Sequence, residues 1–178
     1  MSSIIATSLV ITITILAGAL IGTFVVPFVQ KNLERSTECT NYEEYFSLES
    51  DVLGPICYQR TSKNNYVIVS SANDKALERG VVGFQLLFVR VANKNDPGAA
   101  VSVKVQQSGA SDARLQLFEE SVKPAVLPKA GEVRIYQFND GQNYDRVDIS
   151  TIVGNGRVCD RKADSAKIVA CGNAEGRP

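Results

Sequence analysis

The sequence lacks histidine and tryptophan, and its single methionine is Met1. Without histidine it has neither the commonest general base nor the commonest metal ligand, and Ser-His-Asp and Cys-His catalytic sites are excluded. It also lacks an excess of either charge, because 19 Lys and Arg residues balance 19 Asp and Glu residues. A broad nucleic-acid surface needs a basic excess, so nucleic acid is not an expected partner. No Asn-x-Ser/Thr sequon occurs, so N-linked glycans are not predicted either.

Charge is absent from the first 30 residues, and all of it lies on residues 31–178. The uncharged stretch from Ile4 to Val29 would form a helix of about 39 Å at ~1.5 Å per residue, long enough to cross a bilayer. We therefore predict an apolar helix over residues 1–35 and a separate domain over residues 36–178. Pro27 should kink this helix or loosen a turn. Gly18 and Gly22 form a small-xxx-small pair that lets neighbouring helices approach closely.

Three kinds of segment compete for this apolar stretch. A cleavable secretory signal has a shorter apolar region behind a basic start, which this stretch does not have. A signal anchor fits the length. However, the first basic residues, Lys31 and Arg35, follow the span, and the positive-inside rule would then place the second domain in the cytoplasm. The third kind, a segment whose basic leader has been removed from its upstream end, avoids that conflict.

The cysteines indicate an exported domain. They form two pairs that are local in sequence, Cys39 with Cys57 and Cys159 with Cys171, and no CxxC spacing suggests a zinc site. Four cysteines allow three connectivities, of which the local one is the simplest. Each local crosslink would stabilise the fold by roughly 3 kcal/mol, and disulfides persist outside the reducing cytosol.

The second domain has the pattern of short β-strands. Together with the helix, this predicts an α+β chain with an antiparallel β-sandwich head, for which an immunoglobulin-like arrangement is one form. A near-continuous apolar run from Val81 to Val91 is typical of a strand covered on both faces. The predicted strands are 66–70, 81–91, 101–105, 115–117, 133–138, 147–153 and 166–170.

No catalytic or cofactor-binding constellation is found, so we expect neither an enzyme nor a cofactor. Asp140, Asp145 and Asp148 could contribute oxygens to a calcium site, but EF-hand spacing is absent and solvated acids at a hairpin end are the more common case. The aromatic residues Tyr42, Tyr45 and Phe46 could form an adhesive patch, although packing against the helix stem is the favoured interpretation.

The start of the chain resembles the mature start of archaeal type IV pilins. Their usual pattern is Ser-Pro-Ile-Ile-Ala-Thr followed by aliphatic residues and threonines. Here Ser2, Ile4, Ile5, Ala6 and Thr7 match, and Ser3 stands where proline is usual. Bacterial pilins have a glutamate at the position of Ile5, so an archaeal type is favoured. The resemblance covers about the first 30 residues.

The resemblance implies a function in assembly. A prepilin peptidase would remove a basic leader before Met1, the processing site. An assembly ATPase with its membrane platform would then extract the helix from the cytoplasmic membrane into an extracellular helical homopolymer. The residues expected to pack in the filament core are Ile4, Ile5, Leu9, Ile11, Ile13, Ile15, Gly18, Leu20, Gly22, Phe24, Val25 and Phe28.

Within this family an adhesion pilus is the first expectation, and the archaellum, a rotary swimming filament, is the second. A different class also fits the sequence: a monomeric ectodomain held in the membrane by one span.

Overall fold

The computed structural model describes residues 2–50, 54, 56–92, 96–107, 112–118, 125–154, 156–159 and 163–172, but not the side chains of residues 2–6 and 31–38. The chain divides into two compact units, Met1–Thr40 and Asn41–Pro178. The fold is α+β, with an N-terminal apolar helix followed by sheets that are mainly antiparallel.

The N-terminal helix consists of three consecutive segments. Helix α1 spans Ser2–Leu20, a π-helical turn spans Ile21–Val25, and helix α2 spans Val26–Tyr42. The β-branched residues of this stretch would favour strand at the surface of a water-soluble protein. A helix is nevertheless the form in which one isolated apolar segment satisfies its own backbone hydrogen bonds.

The described part of the second unit, hereafter the head, contains strands and one short helix. The helix, α3, spans Lys75–Glu78. The strands are β1 Phe46–Leu48, β2 Cys57–Gln59, β3 Asn64–Ser71, β4 Val81–Arg90, β5 Ala99–Gln106, β6 Leu115–Leu117, β7 Val133–Phe138, β8 Arg146–Val153, β9 Arg157–Val158, β10 Asp164–Lys167 and β11 Val169–Ala170.

The strands form two sheets. The first has the order β11-β2-β3-β7-β6, with β1 also paired to β3; the second has the order β10-β8-β4-β5, with β9 paired to β8. The pairs are antiparallel except β11 with β2, which is parallel. The sheets include a curled half-barrel, and an immunoglobulin-like arrangement is not confirmed.

One hydrophobic core lies between the two sheets. Phe88 of β4 stacks on Phe138 of β7 with 4.4 Å between ring centroids, and Phe84 meets Tyr136 edge-on at 5.4 Å. The apolar run of β4 predicted a strand that is covered on both faces. In the structure only one face of β4 is covered. Phe84, Leu86 and Phe88 are buried, whereas the alternate side chains such as Leu87 are half-buried. The reason is that β4 is central within its sheet but carries the core on one face only.

The aromatic residues at the end of α2 and just after it belong to this core or pack against it. Tyr45 and Phe46 are 2% and 1% exposed, and Phe46 contacts Phe84 edge-on. Tyr42 is half-buried and packs against the same cluster. The alternative of an adhesive aromatic patch is therefore wrong for Tyr45 and Phe46, because neither ring reaches solvent.

The predicted last strand, 166–170, is two strands in different sheets. The change occurs at Ile168, which is buried in the core. The Ile168 N–H donates to the carbonyl of Asp145, beside the second sheet, and the next N–H, that of Val169, donates to Ile56, beside the first. An apolar pattern cannot show this change of sheet, since Ile168 is buried in either case.

Candidate assembly surface

The predicted filament-core residues form the exposed surface of the helix. Each described aliphatic and aromatic member of the set is about half to two thirds exposed, from 49% for Val25 to 69% for Phe24. The others are Leu9, Ile11, Ile13, Ile15, Leu20 and Phe28. The structure therefore places these side chains outside the core of this chain. Met1 and the side chains of Ile4 and Ile5 lie outside the described residues.

The apolar surface is wider than the predicted set. Further exposed apolar residues, 45–62% exposed and outside the predicted set, are Val10, Leu16, Ile21, Val26 and Val29. The span Thr7–Gln30 is long and apolar enough to cross a membrane, and none of its most apolar window is buried in this chain. This part of the sequence has no polar face, and this is the sign by which the five additional residues could have been added to the predicted set.

Gly18 and Gly22 are open positions on this surface. A Cβ atom built on either residue would meet nothing within 4 Å in the chain. Neither glycine is therefore required by packing within the described part of the chain. Their lack of a side chain instead opens this stretch of helix to close approach by another apolar surface.

Pro27 lies just after the π-helical turn. Proline has no N–H and its ring crowds the carbonyl four residues earlier, so it disturbs the regular hydrogen-bond ladder. In the preceding turn the N–H of Val26 donates to Ile21, five residues back, instead of to Gly22, four residues back. The helix thus continues through Pro27 with a widened turn ahead of it.

The threonine hydroxyls of the helix are bonded to their own backbone. Thr12 donates to the carbonyl of Ser8 at 2.9 Å, Thr14 to that of Val10 at 2.8 Å, and Thr23 to that of Ala19 at 2.8 Å. These bonds satisfy the hydroxyl protons without water, so the three threonines are compatible with an apolar surrounding.

The predicted local cysteine pairing is wrong. The pairs are Cys57 with Cys171 and Cys39 with Cys159, and no cysteine is free. Cys57 and Cys171 are 114 residues apart in sequence but lie on or next to β2 and β11, which are parallel neighbours. Sequence spacing could not show this because it carries no information on which distant strands are adjacent. An apolar N-terminal helix and two disulfides are compatible with a secreted or membrane-associated protein.

The three acids considered for calcium serve local structure. Asp140 accepts from the Tyr144 hydroxyl, Asp145 accepts from the Val91 N–H at 2.7 Å, and Asp148, which is 1% exposed, pairs with Arg146. Among the residues that the structure describes, no group of three or more Cys, Asp and Glu side chains could hold a metal ion.

Ionisable groups in the head have pKa values shifted by burial and by neighbours. Burial raises the pKa of Tyr136, whose hydroxyl donates to the carbonyl of Val126 at 2.7 Å. Burial, and then the hydrogen bond to Asp140, raises the pKa of Tyr144. Hydrogen bonding from Arg114 lowers the pKa of Asp112. These groups are paired within the fold, and their shifts indicate structural roles.

The head also has an open cavity of about 240 Å³. It is lined mainly by apolar side chains, with Glu78 and Lys129 among its polar lining residues. The buried hydroxyl of Tyr45, another lining residue, has no hydrogen-bond partner in the described part of the chain. This volume is below the usual range for ligand pockets, about 300–1,000 Å³, and the described lining residues include no nucleophile-base pair.

Comparisons with protein families, with curated proteins and with solved structures found no match to this chain.

Proposed function

We propose that this chain is the structural subunit of an extracellular filament of the archaeal type IV pilus kind, assembled by packing of its N-terminal helices and serving adhesion. One observation carries the proposal: a helix that is apolar on all sides, with its described side chains exposed from Thr7 to Gln30. The resemblance of residues 1–30 to archaeal pilins supports the same assignment.

Such a surface requires an apolar surrounding. Each large side chain that leaves water for an apolar surrounding contributes roughly 1.5–3 kcal/mol, and the helix has more than a dozen of them. Lipid provides this surrounding before assembly, and identical helices provide it in the filament. Since lipid is as apolar as the side chains, close packing at positions such as Gly18 and Gly22 must favour the filament over the membrane.

The head then forms the outer layer, whether or not its two sheets have the immunoglobulin-like arrangement. Of the 38 charged residues, the head carries all but those at positions 31–40. Each disulfide has at least one cysteine in the head, as suits a domain that faces water outside the cell. Contacts between different faces of neighbouring copies do not close on themselves, so they give an open helical polymer. A prepilin peptidase, an assembly ATPase and its membrane platform are the partners that such assembly requires.

The test is to shear the appendages from producing cells and to determine their structure by electron cryomicroscopy, with three variants in parallel. Gly18→Leu and Gly22→Leu should abolish filaments and leave membrane insertion intact, because leucine fits this chain but fills the space that a neighbouring helix needs. Ile21→Leu, an isomeric change between the two glycines, is the matched control and should retain filaments.

Two results would contradict the proposal. If no filament contains the chain and it stays in the membrane fraction, it is an anchored ectodomain, since lipid alone also covers the helix. If filaments form equally well in both glycine variants, packing at these positions does not hold them. An archaellum would differ from an adhesion pilus by rotation of the filament on live cells.

A further inference from the structure

The π-helical turn leaves the backbone carbonyl of Gly22 without its usual donor, just as Pro27, which has no N–H, leaves that of Thr23. In a regular α-helix the carbonyl of Gly22 accepts from the N–H of Val26, but here that N–H goes to Ile21. The next residue that could donate, five positions after Gly22, is Pro27, which has no N–H. The carbonyl belongs to a residue without a side chain, and the space around that residue is open.

An unpaired carbonyl is costly in the surrounding that this helix requires. In water a solvent molecule would bind it, but lipid tails and packed apolar helices supply no donor, so the carbonyl would stay unsatisfied there. A hydrogen-bond donor from outside the chain is therefore needed at Gly22.

Among the hydroxyl side chains that the structure describes in this helix, that of Ser8 is free to donate. Thr12, Thr14 and Thr23 use their hydroxyl protons on their own backbone. Ser8 is exposed, and its hydroxyl makes no hydrogen bond with any residue that the structure describes. Its carbonyl does accept from Thr12, but its own proton is available.

We infer that the Ser8 hydroxyl of one copy donates to the Gly22 carbonyl of a neighbouring copy, and that this bond sets the axial offset between the two helices. The inference rests on the proposed function. The two residues are 14 positions apart, which is about 21 Å along a helix at ~1.5 Å per residue. Two parallel copies offset by about 21 Å therefore bring the free donor of one level with the free acceptor of the other.

The bond would also propagate. Each copy donates through Ser8 to one neighbour and accepts at Gly22 from another, so the contact is heterologous and repeats along a polymer.

The experiment uses full-length chains assembled in producing cells. It compares the wild type, Ser8→Ala, Pro27→Ala and the double variant, with Thr12→Val as the control. For each, the amount of chain in sheared filaments is divided by the amount in the membrane fraction. A wild-type filament map also gives the distance from Ser8 Oγ to Gly22 O of the neighbouring copy.

Ser8→Ala should lower the filament-to-membrane ratio by about three- to tenfold, the range for one interhelical hydrogen bond. Pro27→Ala restores an N–H next to the carbonyl, so the Gly22 carbonyl can be satisfied within its own helix. In that background, Ser8→Ala should then have no further effect. Thr12→Val removes a hydroxyl that is already bonded internally and should leave the ratio within about twofold of the wild type.

The failures are distinguishable. If filaments form but Ser8→Ala behaves as Thr12→Val does, or if the map places another donor at Gly22, the inference is overturned and the proposed filament stands. If Ser8→Ala is equally damaging with and without Pro27→Ala, the hydroxyl acts elsewhere and the inference is again wrong. If no filament contains the chain, the proposed function and the inference fail together.

Discussion

Gly83 in β4 lies close against the backbone of the neighbouring strand β5. The register of β4 against β8 shifts between Val81 and Gly83, so Gly83 lies at a bulge. A Cβ atom built on Gly83 would overlap the backbone carbonyl oxygen of Val105 in β5. A glycine inside an apolar run is the only sign of this in the sequence, and the sequence does not show which strand approaches it.

Replacing Gly83 by alanine should destabilise the head by about 1–3 kcal/mol or more, because a backbone carbonyl cannot move aside as a flexible side chain can. Chemical denaturation followed by circular dichroism measures the loss. Gly172→Ala is the matched control: its Cβ would meet nothing within 4 Å, and its stability should stay within about 0.5 kcal/mol of the wild type. Equal stability of the two variants would show that β4 and β5 lie farther apart.

Among the elements, the strands with a clear apolar pattern were predictable from the sequence, and several of the shortest strands were not. Strands β3, β4, β5, β7 and β8 have period-two or continuous apolar runs, and each contains or overlaps a predicted strand. Strand β6 coincides with the predicted strand 115–117, whereas β1 and β2, which also have three residues each, were not predicted. What the sequence could not show is which short segments join which sheet, because that depends on distant partners.

The disulfides show the same limit and give a prediction about their coupling. With Cys39–Cys159 intact, the chain path between Cys57 and Cys171 runs through 18 and 12 residues, 30 in all, instead of 114. Loop-closure entropy then predicts that Cys57→Ser with Cys171→Ser costs roughly 3.5 kcal/mol. The same pair of changes made without Cys39–Cys159 should cost roughly 4.7 kcal/mol.

The measurement is denaturant unfolding of the three disulfide variants and the wild type in one detergent. The two losses should be coupled. Removing either disulfide should cost about 1 kcal/mol more when the other disulfide is already absent than when the other is intact. The local pairing expected from sequence would instead give two independent losses of roughly 3 kcal/mol each, so simple additivity would contradict the observed connectivity.

At the scale of the whole molecule, the two units have opposite solvent requirements. The helix has no charge before Lys31 and exposes apolar side chains on all sides, whereas the head buries its apolar residues and carries most of the charge. The contrast in composition can be read from the sequence, since all 38 charged residues lie on residues 31–178. Pro27 was expected to kink the helix or loosen a turn, and a widened turn lies just ahead of it. The sequence did not predict that the Ser8 hydroxyl makes no hydrogen bond with any described residue, because this depends on which hydroxyls bond to the backbone.

The stability of the head should depend on pH at the alkaline end because its buried phenols must stay neutral. Burial raises the pKa of Tyr45, Tyr136 and Tyr144 above the ordinary value of about 10. A group with a raised folded pKa contributes stability that is fully present below its unfolded pKa and is lost as pH rises through the folded pKa. The head should therefore keep its structure up to about pH 10 and unfold cooperatively above it.

Phenolate absorbance and circular dichroism, recorded together along an alkaline titration, test this. Ionisation of the buried phenols should coincide with loss of sheet structure, and Tyr144→Phe should move the transition to higher pH by removing one such group. At neutral pH the same variant should lose about 1 kcal/mol, because the hydroxyl that donates to Asp140 is gone while the ring remains packed on Phe88. Full ionisation near pH 10 with the sheets intact would mean that solvent reaches these hydroxyls, contrary to the packing of Tyr136 and Tyr144 between the sheets.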